Sequence, residues 1–292
     1  MAYLSLSVDL EGLDPEAAEA ACFDAGALSI TLTDAVDDAI LEPAPGELRL
    51  WPQTVLQALF DADTAGPTAI VALAGALALP ASRIRVAQVA DRVWEREWLK
   101  DFHAMQFGRR LWILPHHDAA PADPQAVVVR LDPGLAFGTG THPSTALCLT
   151  WLDAALQPGE RVIDYGCGSG VLAIAAARLG AAQVDCYDID PQAAIATRDN
   201  AAANQVGDRI LQHDDPATLP RAPDVLLANI ISGTLIELAP RFATLLRPGS
   251  QLVLAGILAE QVESVITAYA GWIRLVAADQ RDGWTALAGR RA

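Results

Sequence analysis

Four residues in the second half of the chain have the spacing of a turn that binds a nucleotide-containing cofactor. Asp164, Gly166, Gly168 and Gly170 occupy alternate positions, directly after an apolar run that starts at Val162. Alternate glycines let a backbone turn sharply and approach a ligand where a Cβ atom would collide. The alanine-rich stretch that follows predicts a helix, whose first N–H groups would suit a phosphate or carboxylate. The segment therefore predicts a strand, a glycine turn and a helix around a cofactor.

A second acidic residue supports the binding of an adenosine group. Asp188 follows the next predicted strand, where an acid can accept hydrogen bonds from both ribose hydroxyls. Nicotinamide and flavin cofactors require Gly-x-Gly-x-x-Gly/Ala, which fits Gly168, Gly170 and Ala173. The spacing Asp-x-Gly-x-Gly-x-Gly of residues 164–170 instead resembles the first motif of class I methyltransferases that use S-adenosylmethionine. Asp188 suits both cofactors, and a glycine loop that only packs a strand on a helix is a third interpretation.

The later part of the chain, residues 119–292, alternates between predicted strands and helices. This alternation predicts an α/β domain with a doubly wound, mostly parallel sheet. A reversed strand predicted at the end of the chain resembles the arrangement in the seven-stranded sheet of class I methyltransferases. A second mononucleotide-binding half would need another helix there, which counts against an NAD-dependent oxidoreductase. The predicted strands are Val162–Tyr165, Val184–Tyr187, Asp224–Ile230, Gln251–Ile257, Trp272–Ala277 and Trp284–Ala288.

Residues 1–92 follow a different pattern, in which predicted strands and helices have the order β-α-β-β-α-β. This order predicts a small α+β domain with a ferredoxin-like sandwich. Residues 93–118 lie between the two domains and predict a helical linker, on which Trp94 and Trp98 share one face. Such a linker could pack only on its neighbours or could also contact the substrate, and the sequence leaves both open.

The charge of the chain is negative and unevenly distributed. The formal net charge is −16, and residues 1–92 contribute −10 of it, with 14 Asp and Glu residues against 4 Arg. A protein that binds nucleic acid needs a basic surface, so we expect no direct nucleic-acid binding. An acidic domain can attract a basic protein partner, although acidic surfaces also serve solubility alone.

The composition excludes several other classes of protein. The longest apolar run, residues 69–79, is shorter than the roughly 20 residues of a membrane-spanning helix, and the first residues lack the basic region of a signal peptide. The four cysteines form no Cys-x-x-Cys pair, and His116-His117 has no third ligand spaced nearby. We therefore expect a cytoplasmic protein with reduced cysteines, without a metal site or a membrane segment.

One segment carries a narrower resemblance. Residues 131–145, with the sequence LDPGLAFGTGTHPST, are similar to the ribosomal protein L-eleven methyltransferase family, called PrmA. Ala104 and the pair His116-His117 depart from the family, in which we expect proline and a serine-tryptophan pair. These departures touch the linker and not the glycine turn. The similarity also covers Trp94–Trp98, Phe107–Gly108, Arg110–Ile113, Asp188–Pro191 and Ala228–Ile230.

The resemblance implies an activity, a cofactor and the residues that bind it. It implies methyl transfer from S-adenosylmethionine to lysine side-chain and/or N-terminal amino groups of a large-subunit ribosomal protein. A lysine is neutral in only about one molecule in 2500 at pH 7, so the cofactor's positive sulfur and a water-poor pocket must favour the free amine. No catalytic residue is assigned. The residues expected to bind the cofactor are Thr145, Gly166, Gly168, Asp188 and Asn229.

Asn229 ends the fourth predicted strand, at the edge where open α/β sheets bind ligands. Methyltransferases that act on planar amides or base amines commonly have Asn/Asp-Pro-Pro-Tyr/Phe there, whereas residues 229–232 are Asn-Ile-Ile-Ser. This difference favours an sp³ amine as the methyl acceptor. Asn229 could contact that amine, bind the methionine part of the cofactor, as the resemblance favours, or only form a turn.

The glycine-rich segment before Thr145 predicts a mobile element. Gly134, Gly138 and Gly140 leave the loop little stiffness, so we expect residues 137–145 to form a lid that the ligand orders. The leading hypothesis is thus a protein N-methyltransferase, and the alternatives are an NAD-dependent oxidoreductase and a non-catalytic adenosine-binding module.

Overall fold

A computed structural model of the chain describes residues 3–35, 51–62, 67–89, 103–131 and 140–292. The chain divides into two compact units, Met1–Glu97 and Trp98–Ala292. Among the described residues, the first unit has one sheet and one buried apolar cluster, and the second has two sheets and two such clusters. In the described ranges, no helix is long and apolar enough to cross a membrane.

The first unit has the ferredoxin-like topology that its sequence predicts. Its elements are β1 (Tyr3–Asp9), α1 (Pro15–Asp24), β2 (Ser29–Asp34), β3 (Thr54–Asp61), α2 (Pro67–Ala76), a 3₁₀ turn (Ala81–Arg83) and β4 (Ile84–Val89). The sheet has the order β2-β3-β1-β4, and all neighbouring pairs are antiparallel. Asp14 caps α1 with its side chain, and Pro15 fills the first helical position. Leu6, Phe60 and Leu73 belong to the buried cluster of this unit.

The second unit contains a small three-stranded sheet and a large seven-stranded one. The small sheet is formed by β5 (Met105–Phe107), β6 (Leu111–Leu114) and β7 (Val127–Arg130). The elements that follow are α3 (Pro143–Ala155), β8 (Arg161–Tyr165), α4 (Val171–Leu179), β9 (Gln183–Tyr187), α5 (Pro191–Ala203), β10 (Ile210–His213), a 3₁₀ turn (Pro216–Thr218), β11 (Val225–Asn229), α6 (Ser232–Leu245), β12 (Gln251–Leu258), a 3₁₀ turn (Ala259–Gln261), α7 (Val262–Tyr269), β13 (Val276–Arg281) and β14 (Trp284–Arg290).

The seven-stranded sheet confirms the predicted doubly wound fold. Its order is β10-β9-β8-β11-β12-β14-β13, and β14 is antiparallel to both of its neighbours. The pairs among β8, β9, β10, β11 and β12 are parallel. One strand is displaced from its prediction, since residues 272–277 were expected and β13 spans Val276–Arg281. Ile273 forms only an isolated bridge with Arg291.

The segment expected as a helical linker contains strands where the structure describes it. We expected a helix within residues 93–118, but residues 103–118 contain β5 and β6, and residues 93–102 lie outside the described ranges. Phe107, Leu111 and Ile113 are buried in the apolar cluster that includes α3 and α4. Spaced apolar residues over so short a stretch suit one face of a strand as well as one face of a helix, so periodicity alone could not separate the two.

Helices cover both faces of the large sheet, which explains why its central strands β11 and β12 are almost entirely apolar and buried. On one face, Val162 packs in a cluster with Leu149 of α3 and Ile174 of α4. On the other, Ile163 belongs to a cluster with Phe242 of α6 and residues of α7. Since β8, β9 and β11 are parallel neighbours, the residues that end them meet at one edge of the sheet.

Gly256 lies at an irregular point of β12, where the pairing with β14 shifts its register between Leu254 and Ile257. Its φ is +80°, a conformation that favours glycine. A Cβ atom at Gly256 would overlap the carbonyl oxygen of Ile230, which follows β11. The close approach of β12 to this segment therefore fixes where β11 ends.

We expect Gly256→Ala to destabilise the protein more than Gly249→Ala. Gly249 has a φ of +89° but has nothing within 4 Å of a Cβ atom, so its substitution reports backbone strain alone, about 1 kcal/mol. At Gly256 the overlap with Ile230 adds about 1–3 kcal/mol. Urea unfolding followed by circular dichroism measures both variants, and equal losses would show that the contact with Ile230 relaxes freely.

Candidate functional site

The glycine turn between β8 and α4 has the conformation that its sequence predicts. Gly166, Gly168 and Gly170 have φ values of +81°, +53° and +78°. A Cβ atom at Gly170 would lie 2.8 Å from Thr197 Oγ1, and one at Gly166 would overlap the Ile230 side chain. The spacing of the glycines predicts that a side chain at Gly166 would collide with the ligand. The structure shows that the protein's own packing already excludes it.

Side chains of the protein satisfy much of the backbone around this turn. Val171 N–H donates to Ser169 Oγ at 3.3 Å, and Ala173 N–H donates to Asp164 Oδ2 at 3.0 Å. We expected the first N–H groups of α4 to face a ligand, but these two already have acceptors. Gly166 N–H and Cys167 N–H both donate to the Tyr187 carbonyl, which joins the turn to β9.

Asp188 connects the glycine turn to the loop that follows β9. Its Oδ2 accepts from Gly168 N–H at 2.8 Å, and its Oδ1 accepts from Asp190 N–H at 2.9 Å. Each carboxylate oxygen can accept a further hydrogen bond. Asp190 caps α5 by accepting from Gln192 N–H at 2.9 Å. Asp188 is therefore the acid of this loop that lies against the turn.

Thr145 and Asn229 come together from separate elements. Thr145 lies in the first turn of α3 and is 1% exposed, and Asn229 is the last residue of β11. Asn229 Nδ2 donates to Thr145 Oγ1 at 3.1 Å. The amide oxygen of Asn229 and the hydroxyl hydrogen of Thr145 thus stay available to a ligand as an acceptor and a donor.

The segment expected as a mobile lid is partly helical. We expected a loop over residues 137–145, but Pro143, Ser144 and Thr145 begin α3, and residues 137–139 lie outside the described ranges. His142 caps this helix by accepting from Ser144 N–H, and its ring meets Trp284 edge-on at 4.6 Å between centroids. Burial lowers the pKa of His142, which keeps the ring neutral at pH 7.

Two polar residues of α5 bind the backbone of the glycine turn, and the residue after α5 binds β7; none of the three was predicted from the sequence. Thr197 Oγ1 donates to the Gly168 carbonyl at 3.1 Å, and Asn200 Nδ2 donates to the Ser169 carbonyl at 2.9 Å. Asn204 exchanges two hydrogen bonds of 2.7 Å with the backbone of Arg130. The spacing of residues 197, 200 and 204 on one helix face was the signal that could have found them.

Asp164 is a fully buried carboxyl group beneath the turn. Its exposure is 0%, and its Oδ1 has no hydrogen-bond partner among the described residues. Burial raises the pKa of Asp164 to about 7, the Ala173 N–H opposes this shift, and the nearby Asp188 carboxylate adds to it. The residues expected to bind the cofactor lie at the ends of β8, β9 and β11 and in the first turn of α3. Asp164 belongs to β8, the strand between β9 and β11.

The described ranges hold no group of three or more His, Cys, Asp and Glu side chains arranged to bind a metal ion. Cys22, Cys148, Cys167 and Cys186 are free and buried.

Comparison with known proteins settles the family of this chain. The family model described as "Ribosomal protein L11 methyltransferase (PrmA)" matches residues 2–292. The chain belongs to the PrmA family. A ribosomal protein L11 methyltransferase of Alkalilimnicola ehrlichii is 50% identical over 269 residues, which cover 91% of each chain. One from Pseudomonas aeruginosa is 48% identical over 292 residues, covering 100% of this chain and 99% of the relative.

A solved structure agrees with these matches. The crystal structure of a ribosomal protein L11 methylase from Lactobacillus delbrueckii subsp. bulgaricus is 32% identical, with a TM-score of 0.61. It is matched over 65% of this chain and 99% of its own length. The chain is thus a protein methyltransferase of the class I fold, and the comparisons give no support to an oxidoreductase or a non-catalytic binding module.

The raised pKa of Asp164 predicts how the stability of this PrmA protein depends on pH. An unfolded Asp ionises near pH 4, so between about pH 4 and 7 the folded protein holds a proton that the unfolded chain releases. The contribution of Asp164 to the free energy of unfolding is therefore largest below about pH 4 and is lost as the pH rises towards 7. We therefore compare the unfolding free energy of Asp164→Asn with that of the wild type at two pH values. The variant minus wild-type difference should be about 2–3 kcal/mol more positive at pH 8 than at pH 5, because only the wild type loses stability over this range.

Asp224→Asn is the matched control for this measurement. Asp224 accepts from Arg161 N–H at 2.9 Å and pairs with Arg247 at 2.6 Å, and these contacts lower its pKa. It is ionised in both states at pH 5 and pH 8, so its substitution should have the same effect at both. Urea unfolding at the two pH values decides, and a pH-independent difference for Asp164→Asn would contradict the buried neutral acid.

Proposed function

We propose that the second unit binds S-adenosylmethionine at the carboxyl ends of β8, β9 and β11. From it, the protein methylates lysine side-chain and/or N-terminal amino groups of the ribosomal protein L11. The observation that carries the proposal is the convergence of Asp188 and the glycine turn with the Thr145–Asn229 pair at this edge. A ribosomal substrate also fits a cytoplasmic location.

The residues present fit the chemical groups of this cofactor. Asp188 retains acceptor capacity for the two ribose hydroxyls, and the backbone at Gly166 and Gly168 lets the ligand approach closely. The free donor of Thr145 and the free acceptor of Asn229 suit the carboxylate and the ammonium of the methionine part.

An exposed apolar side chain next to Asp188 extends the proposed cofactor site. Ile189 is 88% exposed, although it lies between two loop acids that are held by backbone hydrogen bonds. A large apolar residue so exposed beside a ribose-binding acid suits the flat face of adenine.

Methyl transfer needs little acid–base chemistry from the protein itself. S-adenosylmethionine supplies the reactive methyl group, and the transfer to an amine is an in-line displacement that depends on orientation. The cofactor's positive charge and the low exposure of Thr145 and Asp164 both favour a neutral amine nearby. The chain's own contribution is to hold the donor in place and to exclude water.

The first unit is proposed to recognise the basic protein substrate. Residues 1–92 carry a charge of −10, and a ribosomal protein that binds RNA is basic. Opposite charge raises the rate of encounter and orients the partners. The separate sheet and core of this unit support a role distinct from cofactor binding.

We expect Asp188→Ala to weaken the binding of S-adenosylhomocysteine about 10- to 100-fold, because two ribose hydroxyls lose a charged acceptor. Asp190→Ala should have a smaller effect, since Asp190 only caps α5. Calorimetric titration of both variants, with NAD as a second ligand for the wild type, measures this. The reverse ranking, or binding of NAD alone, would contradict the proposed site.

We expect a protein without residues 1–92 to bind S-adenosylhomocysteine with nearly wild-type affinity but to lose methylation of the ribosomal protein L11. The cofactor residues all belong to the second unit, whereas a large substrate needs a separate surface to hold it. Mass spectrometry of purified L11 after incubation with S-adenosylmethionine measures methylation. Full activity of the truncated protein would show that the acidic unit does not recognise the substrate.

A further inference from the structure

Asp164 has an unsatisfied oxygen that the fold does not explain. The residue is 0% exposed, and Oδ2 is occupied by Ala173 N–H at 3.0 Å. Oδ1 is buried without a hydrogen-bond partner among the described residues. A buried carboxylate normally has several donors, because burial without them disfavours its charge. The position therefore holds an acid whose ionised form the empty protein supports with one donor only.

The groups around Asp164 also disfavour a second negative charge. The Asp188 carboxylate acts on it from the loop after β9. The neighbouring thiols of Cys148 in α3 and Cys186 in β9 have raised pKa values and add no positive charge. Helix α4 contributes the Ala173 N–H, and β11 places the apolar Leu227 opposite Asp164. No Lys or Arg of the described residues is among the groups that act on Asp164.

The environment of Asp188 differs from that of Asp164. Asp188 is partly exposed and accepts two backbone N–H bonds, so its carboxylate has the donors that Asp164 lacks. Of the two acids at this edge, Asp164 is thus the one whose charge depends on what else enters the site.

We propose that Asp164 is the residue by which this site distinguishes S-adenosylmethionine from S-adenosylhomocysteine. Its carboxyl group is protonated in the empty and product-bound protein. It releases its proton to solvent when the cationic cofactor binds, and it takes one back from solvent after methyl transfer. This inference rests on the proposed cofactor site.

The charge of the two ligands supplies the physical reason. S-adenosylmethionine has a positive sulfur that S-adenosylhomocysteine lacks, and the remaining charged groups are the same in both. In a partly buried site, a unit charge about 10 Å away changes the ionisation of a carboxyl group about tenfold. The sulfonium thus favours the Asp164 carboxylate, and by linkage the carboxylate favours the sulfonium ligand by the same factor.

Calorimetric titration of both ligands at pH 6.5, in buffers with different ionisation enthalpies, counts the protons released on binding. At this pH the α-amino groups of both ligands stay protonated. Since burial raises the pKa of Asp164 to about 7, we expect roughly half a proton or more to be released with S-adenosylmethionine, and close to none with S-adenosylhomocysteine. In wild type, the preference for S-adenosylmethionine should also grow from pH 5.5 to pH 7.

Asp164→Asn should abolish the difference in proton release and reduce the preference for S-adenosylmethionine about threefold at pH 6.5, approaching tenfold above pH 7. Asp199→Asn, an exposed position on α5, is the control and should leave the proton count unchanged. Equal proton release with both ligands, or release that persists in Asp164→Asn, would overturn the inference while leaving the cofactor site intact. Failure of the wild type to bind either ligand would overturn the proposed function itself. If Asp164→Asn does not fold, the wild-type proton counts and pH dependence decide alone.

Discussion

The structure depends on one packing constraint, the contact of two glycines with Ile230. Gly166 in the turn after β8 leaves no room for a Cβ atom beside the Ile230 side chain, and Gly256 in β12 leaves none beside its carbonyl oxygen. Because Ile230 is packed on both sides, the position of the preceding Asn229 is defined. The hydrogen bond from Asn229 Nδ2 then orients the Thr145 hydroxyl in α3. The glycine turn and the Thr145–Asn229 pair, which are proposed to bind the cofactor, are therefore both positioned by Ile230 and the residue before it.

Several polar side chains of the proposed site already form hydrogen bonds within the protein, and each keeps a donor or an acceptor for a ligand. Asp188 already accepts from Gly168 and Asp190, and Asn229 already donates to Thr145. Each group is therefore oriented before a ligand arrives, and only its remaining donor or acceptor is left for binding. Such pre-organisation reduces the entropy lost on binding.

The sequence predicted the parts of the fold that local chemistry determines. The glycine turn, the position of Asp188 after β9, and the fold types of the four-stranded and seven-stranded sheets follow from the order of elements along the chain. The strands β5 and β6 were missed, since short apolar patterns fit a helix or a strand. The support of the turn by Thr197 and Asn200 was also missed, because it joins residues about 30 positions apart.

The charge balance of the site follows from the direction of the reaction. Methyl transfer to a neutral amine moves the positive charge from the cofactor's sulfur to the substrate, which would leave a neutral thioether in the proposed site. With one positive charge fewer in the site, the repulsion between the carboxylates of Asp164 and Asp188 would be less compensated. An acid that regains its proton at this point removes one of the two negative charges. The single donor to Asp164 and the two donors to Asp188 suit the two proposed roles, in which Asp164 becomes neutral and Asp188 binds the ribose.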